Sequence, residues 1–238
     1  MTYFKNFPTS VYKFANDERA VMQNLSAYVE IMDEVKTNGA FYQDYYIRNG
    51  DRPDNVAFTL YENPKLHWTF YLMNDHLRES GWPLDHTEIV KKAKVDFPNH
   101  TLTTTDSLIA FQVGDTVQDY ITGATGVVLS KNLSMGQLVV EKTDNLKFTI
   151  GNLLVRSGGT EQATLTGSSP EYLAAKYYLQ DDEIITCTED LVQSSFPVEV
   201  TNLDYYTKEN DALRKISVLK PRSVNTVVQM FNQAIISL

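Results

Sequence analysis

The sequence predicts an α+β protein in which a small β-barrel or meander is inserted between two mixed segments. Three observations carry that prediction. Short apolar faces at helical spacing recur between residues 53 and 95, strand-forming residues with regular turns crowd residues 108–155, and a clean amphipathic stripe closes the chain. With 238 residues and 42% hydrophobic content, the chain can bury one large core or two small ones.

The N-terminal segment reads as extended. Tyr3-Phe4, Val11-Tyr12-Lys13-Phe14 and Ala27-Tyr28-Val29-Glu30-Ile31 are aromatic-rich or alternating, which suits strands or docking arms over residues 3–31. Phe41 to Ile47 is rich in strand formers and stops at Asn49-Gly50-Asp51, residues that tolerate the positive φ of a tight turn. Pro53 then opens a helix whose apolar face is Val56, Ala57, Leu60 and Tyr61, because its missing N–H costs nothing in a first turn. Asn63-Pro64 caps and restarts the chain, with Leu66, Thr69, Phe70 and Met73 on one face and an end near Asn74-Asp75. A third helix is expected from Glu88 to Val95, with Asp85 and Glu88 as reciprocal caps.

From Leu108 to Val155 the composition turns to Val, Thr, Leu and Gly, with turns at Gly114-Asp115, Gly123 to Gly126, Met135-Gly136 and Asp144-Asn145. Strands at that spacing give the barrel or meander. Residues 156–170 read as a flexible linker by their Gly, Ser and Thr content. Glu171 to Leu179 reads as a helix, Asp181-Asp182-Glu183 as a solvated break, and Lys215 to Leu219 as a strand. Pro221 opens the last helix, with Val224, Val227, Val228, Phe231 and Ile235 on one stripe. The expected organisation is therefore 1–107 as an N-terminal arm and domain, 108–155 as the insert, 156–170 as linker, and 171–238 as a C-terminal α+β segment.

Charge and composition exclude several functions. A net charge of −9 without a basic cluster disfavours nucleic acid and anionic lipid, and no apolar run approaches the ~18–20 residues that span a bilayer. The N-terminus lacks the apolar core of a signal peptide, and Cys187, the single cysteine, forms no internal disulfide, so synthesis in a reducing cytoplasm is expected. His67, His76, His86 and His100 lack the spacing of metal ligands. Ser10-x-x-Lys13 stands without the companion motifs of acyl-enzyme hydrolases, and Gly123 to Gly126 lacks the Gly-Lys-Ser/Thr of a phosphate loop. Carboxylate pairs such as Glu189-Asp190 follow from 30 acidic residues. The sequence thus offers no catalytic residue, no metal ligand and no cofactor.

Two resemblances point to a role. Tyr45 to Pro53, followed by Val56-Ala57, Tyr61, Asn63-Pro64, Leu66, Trp68 and Asn74, resembles the LysM module, a strand, a Gly-Asp turn and two short helices joined by Asn-Pro; Ser80 to Leu84 stands where the closing strand would follow. More broadly, Tyr3 to Pro8, Lys65 to Trp68, Leu72 to Asp75, Glu209-Asn210 to Ile216 and Val218 to Pro221 resemble the small baseplate wedge protein of contractile-tailed phages, over residues 1–98 and 170–236. That resemblance implies a structural, non-enzymatic virion protein in multiple copies around the tail baseplate. It would join neighbouring wedge subunits and touch the tail sheath initiator. The interface candidates are Tyr3, Phe4, Phe7, Tyr46, Trp68, Val224, Val228 and Phe231. For Trp68, core anchoring is the first reading beside interface anchoring and sugar stacking. The alternatives are a peptidoglycan-binding LysM module and a tail-associated cell-wall hydrolase.

Overall fold

The computed structural model describes residues 8–15, 17–23, 35–36, 38–104, 111–187 and 197–236, without the side chains of 234–236. In chain order the first elements are β1 (Thr9–Lys13), β2 (Arg19–Gln23), β3 (Tyr42–Tyr46), α1 (Pro53–Tyr61), a 3-10 turn (Pro64–Leu66), α2 (Trp68–Met73), α3 (Asp75–Ser80) and α4 (His86–Asp96). The strands β4 (His100–Thr104), β5 (Thr116–Asp119), β6 (Thr125–Asn132), β7 (Gln137–Lys142), β8 (Leu153–Arg156) and β9 (Gln162–Pro170) follow. A 3-10 turn (Glu171–Leu173), β10 (Ala175–Gln180), β11 (Glu183–Ile185), β12 (Val198–Thr201), α5 (Asn202–Ala212), β13 (Lys215–Leu219) and α6 (Pro221–Ile236) complete the chain. The class is α+β, and the chain divides into two compact units, residues 1–85 with 210–238, and residues 86–209.

In the first unit β1 and β2 form a two-stranded antiparallel hairpin with Val11 opposite Val21. The later part of the expected extended arm, 24–31, and its start, 1–7, lie outside the described residues. β3 pairs antiparallel with β13, Tyr42 opposite Leu219 and Tyr46 opposite Lys215. After β3 the chain turns at Gly50, whose φ of +81° suits glycine, and the Asp51 carboxylate accepts from the Arg48 N–H. Pro53 occupies the first turn of α1, and the Asn63 side chain accepts from the Lys65 N–H at 3.1 Å, so both predicted starts hold. Beyond Asn74, α3 was not anticipated; its six residues bury only Leu77, too little apolar content to show a helical period.

Two adjoining apolar clusters hold this unit. Ile47, Val56, Ala57, Phe70, Leu77, Ile216 and Val218 form one; Val35, Leu72, Met73, Leu219, Val224, Val227 and Phe231 form the other. α6 is therefore a core helix. Polar groups pin the non-local strand. The Asn74 carboxamide donates to the Phe70 and Ser217 carbonyls and accepts from the Ser217 N–H, each at 2.8 Å, so a side chain completes the edge of β13 that β3 leaves open. Arg214 is buried, with its Nε donating to Asp211 at 2.7 Å and an Nη to the Leu84 carbonyl at 3.0 Å.

The second unit is built on a closed antiparallel barrel of order β4-β7-β6-β5-β8-β9. Its alternating inward residues include Leu102, Val117, Val128, Leu138, Val140, Leu154, Ala163 and Leu165, packed with Phe111 and Phe148. The barrel is wider in sequence than the expected 108–155: β4 and β9 from outside that range close it, with His100 opposite both Val140 and Pro170. The segment expected as a flexible linker, 156–170, carries β9. Its glycine content has a packing cause, since a Cβ on Gly167 would lie 3.0 Å from Thr103 Oγ1 across the β4–β9 ladder. The expected helix at 171–179 is replaced by one 3-10 turn and β10, where Ala175 and Tyr177 are buried around exposed Lys176. Pairing to β11 and β12 outweighed a weak helical spacing, in keeping with the β propensity of Tyr177 and Tyr178. Asp181 and Asp182, with φ of 51° and 66°, make the tight turn from β10 to β11.

Candidate functional site

The structure sorts the sequence-predicted interface residues by burial. Tyr46 is exposed at the end of β3. Trp68 is half-buried, with its ring 5.4 Å from that of Phe231, and packs against the α6 cluster. Val224 and Phe231 are buried in that same cluster and Val228 is partly buried against it, so these three side chains are occupied within the unit. Tyr3, Phe4 and Phe7 lie outside the described residues.

Exposed apolar surface lies elsewhere. On the β1–β2 hairpin the facing pair Val11 and Val21 is 64% and 72% exposed, with Tyr12, Phe14 and Met22 also open to solvent. Next to the valines on the same face, Lys13 stands opposite Arg19. Lys13 also pairs with Asp17 at 2.6 Å across the turn, but a two-stranded hairpin of this size is marginal alone in water.

One end of the barrel carries a second exposed group. The β5–β6 loop presents Tyr120 and Ile121, each 73% exposed; the β7–β8 loop presents Leu146 and Ile150, with Leu153 at the start of β8. Tyr120 and Leu153 are adjacent, the Tyr120 N–H donating to the Leu153 carbonyl at 2.9 Å, and Leu146 comes within reach of Gly123. The loops are fixed from beneath by Asp119, which is fully buried. Its carboxylate accepts from the N–H groups of Ile121, Thr122 and Thr149 and from the Asn152 amide, at 2.9–3.1 Å. Burial pushes the Asp119 carboxyl up, but those donors outweigh it and hold the group below its ordinary value. Sequence reasoning treated both loops as plain turns. The available signal was the placement of Tyr, Ile and Leu at turn positions usually given to polar residues.

Asp75, Asp96, Asp119 and Asp144 are all held below the ordinary carboxylate value, each by hydrogen-bond donors or cations beside it, the reverse of what a general acid requires. Among the described residues no cluster of His, Cys, Asp or Glu could hold a metal ion, and no helix is long and apolar enough to cross a membrane. His100, lowered by its burial and by Lys142, bonds Ser168 and stacks on Phe148 inside the barrel wall.

Residues 9–99 match the family model described as base plate wedge protein 53. That match relates this segment to the phage baseplate wedge proteins. No curated relative matches the chain. The wedge segment starts with the exposed hairpin, runs through β3 and α1 to α4, and ends one residue before β4. A baseplate wedge protein is a structural part of the phage tail, and its function rests on surfaces that meet other baseplate components. The barrel lies wholly outside the wedge match.

Proposed function

We propose that the protein is a non-enzymatic wedge subunit that is made in the host cytoplasm, joins neighbouring wedge subunits around a ring, and contacts the tail sheath initiator. The observation that carries this reading is the exposed β1–β2 hairpin at the start of the family-matched segment. Among the described residues its two outer edges pair with no further strand, so a neighbouring chain could add one and cover the apolar valine pair, a mode of recognition in which backbone hydrogen bonds give affinity. Docking would supply the third strand that a marginal ribbon lacks. Tyr46, Tyr3, Phe4 and Phe7 stay proposed as contacts to other wedge subunits.

The core of the first unit supports a LysM-like reading of β3, α1 and α2. On that reading β13, which returns from residues 215–219 to pair antiparallel with β3, would take the part of the strand that does not follow Ser80 to Leu84. Trp68 packs inward against Phe231, which favours a protein-joining use of this unit over sugar stacking.

The test is incorporation. Phage carrying Val11→Ser with Val21→Ser should produce a chain whose tryptophan-monitored melt is unchanged but whose amount in purified baseplates drops. Normal incorporation of the double variant sinks the hairpin reading, and absence of the wild-type chain from purified baseplates sinks the structural role. Retention of the purified chain on cell-wall sacculi, lost on Trp68→Ala, would instead establish glycan binding.

A further inference from the structure

We infer that the loop end of the barrel is a docking surface for a different tail polypeptide, one that offers an apolar face edged by carboxylates. The setting rests on the baseplate reading above, but the residues are distinct from the hairpin. Tyr120 and Ile121 are each 73% exposed, and Leu146, Ile150 and Leu153 are 49%, 61% and 38% exposed at the same end of the barrel, a grouping of large apolar side chains unlike the singly scattered ones of an ordinary surface.

The surface is built to be rigid. Asp119 ties both loops to the barrel through three backbone N–H groups and Asn152, and Asp144 ties the second loop to β6 by accepting from the Thr125 N–H and hydroxyl at 2.7 Å. Loops so fixed lose little freedom on binding, which is the condition for converting exposed apolar area into affinity.

Charge selects the occupant. The chain is acidic overall, yet both loop carboxylates are consumed within the loops, and Lys142 is turned to the Leu146 carbonyl. Of the charged groups in these two loops, Lys147 alone has no hydrogen-bond or ion-pair partner among the described residues, and it stands exposed between Leu146 and Ile150. The patch therefore presents apolar area with a positive group, complementary to an apolar face carrying Asp or Glu. A second copy meeting the same patch across a two-fold axis would bring a second Lys147 and no free loop carboxylate to answer it. The patch lies outside residues 9–99, the segment that matches the wedge family model.

Hydroxyl-radical footprinting of the full chain, free and in purified tails, reads the surface directly. Oxidation of Tyr120, Ile121 and Ile150 should fall several-fold in tails, while exposed Val95 on α4 serves as a reference. Carbodiimide coupling of the same tails should join Lys147 to an Asp or Glu of another tail polypeptide. Ile121→Ser with Ile150→Ser should leave the melt unchanged and weaken incorporation at limiting chain by about ten-fold or more, as for loss of interface anchors. Unchanged oxidation in tails overturns the docking surface, and a Lys147 cross-link to a second copy of this chain overturns the assigned occupant. Detection of the chain in tails separates either failure from a failure of the baseplate reading.

Discussion

Replacing Asn74 by alanine removes the side chain that, just after α2, hydrogen-bonds both backbone groups of Ser217 on the open edge of β13. The carboxamide is only 5% exposed and makes three bonds of 2.8 Å, two to Ser217 and one to the Phe70 carbonyl. Each such bond contributes about 1 kcal/mol net, and a buried backbone group left without a partner costs about 1–3 kcal/mol. The variant should lose about 3–5 kcal/mol, a large share of the ~5–15 kcal/mol typical of a domain. Urea unfolding followed by tryptophan fluorescence isolates this effect, because both tryptophans, Trp68 and Trp82, belong to the first unit. Asn74→Asp goes further: it keeps the acceptor for the Ser217 N–H but turns a carboxylate toward two carbonyls, which raises its folded pKa above the unfolded ~3.9. Its extra destabilisation should therefore be absent below the unfolded value and grow as pH rises through the folded one. A loss under about 1 kcal/mol for the alanine variant, or an aspartate variant insensitive to pH, would show that the side chain does not complete the strand edge.

Three further outcomes follow from the same geometry. Asp119 has a depressed folded pKa, so its contribution is present above the ordinary carboxylate value of 3.8 and lost as pH falls through the lower folded one; Asp119→Ala should abolish that acid-range loss, seen as hydrogen exchange at the Thr122 and Thr149 amides. In the barrel wall, a Cβ on Gly126 would sit 3.1 Å from the Glu141 carbonyl oxygen and 3.3 Å from Val140 Cβ, so Gly126→Ala should cost about 1–3 kcal/mol in a thermal melt, whereas a neutral result would mean that β6 and β7 can separate freely. Deleting residues 221–238 strips Val224, Val227 and Phe231 from the first core, each worth about 1.5–3 kcal/mol, and should unfold that unit by tryptophan fluorescence while barrel amides stay protected.

The barrel and the wedge segment divide the molecule's functional questions. The matched segment gives the role in the tail, and the barrel, starting at His100, supplies surface that the family description does not account for. Both exposed apolar groups are carried on β-structure, yet they differ in preparation: the hairpin is a two-stranded ribbon, while the barrel loops are fixed by a buried carboxylate.

Local chemistry in the sequence determined much of this protein. The Gly50 turn, Pro53 and Asn63-Pro64 at helix starts, and the stripe of α6 are each decided within a few residues, by allowed φ, a missing N–H or a 3.6-residue period. The resemblance to a baseplate wedge protein was likewise legible. Tertiary structure alone decided the rest. Whether the α6 stripe faces a partner or its own core depends on Trp68 and Leu219 lying beside it, and the barrel's limits depend on β4 and β9 finding each other across more than sixty residues of chain. Glycine at 167 looks like flexibility in one dimension; in three it leaves room for Thr103, which a Cβ would crowd at 3.0 Å. Burial and pairing between distant segments carry no local signature, so they appear only once the chain is folded.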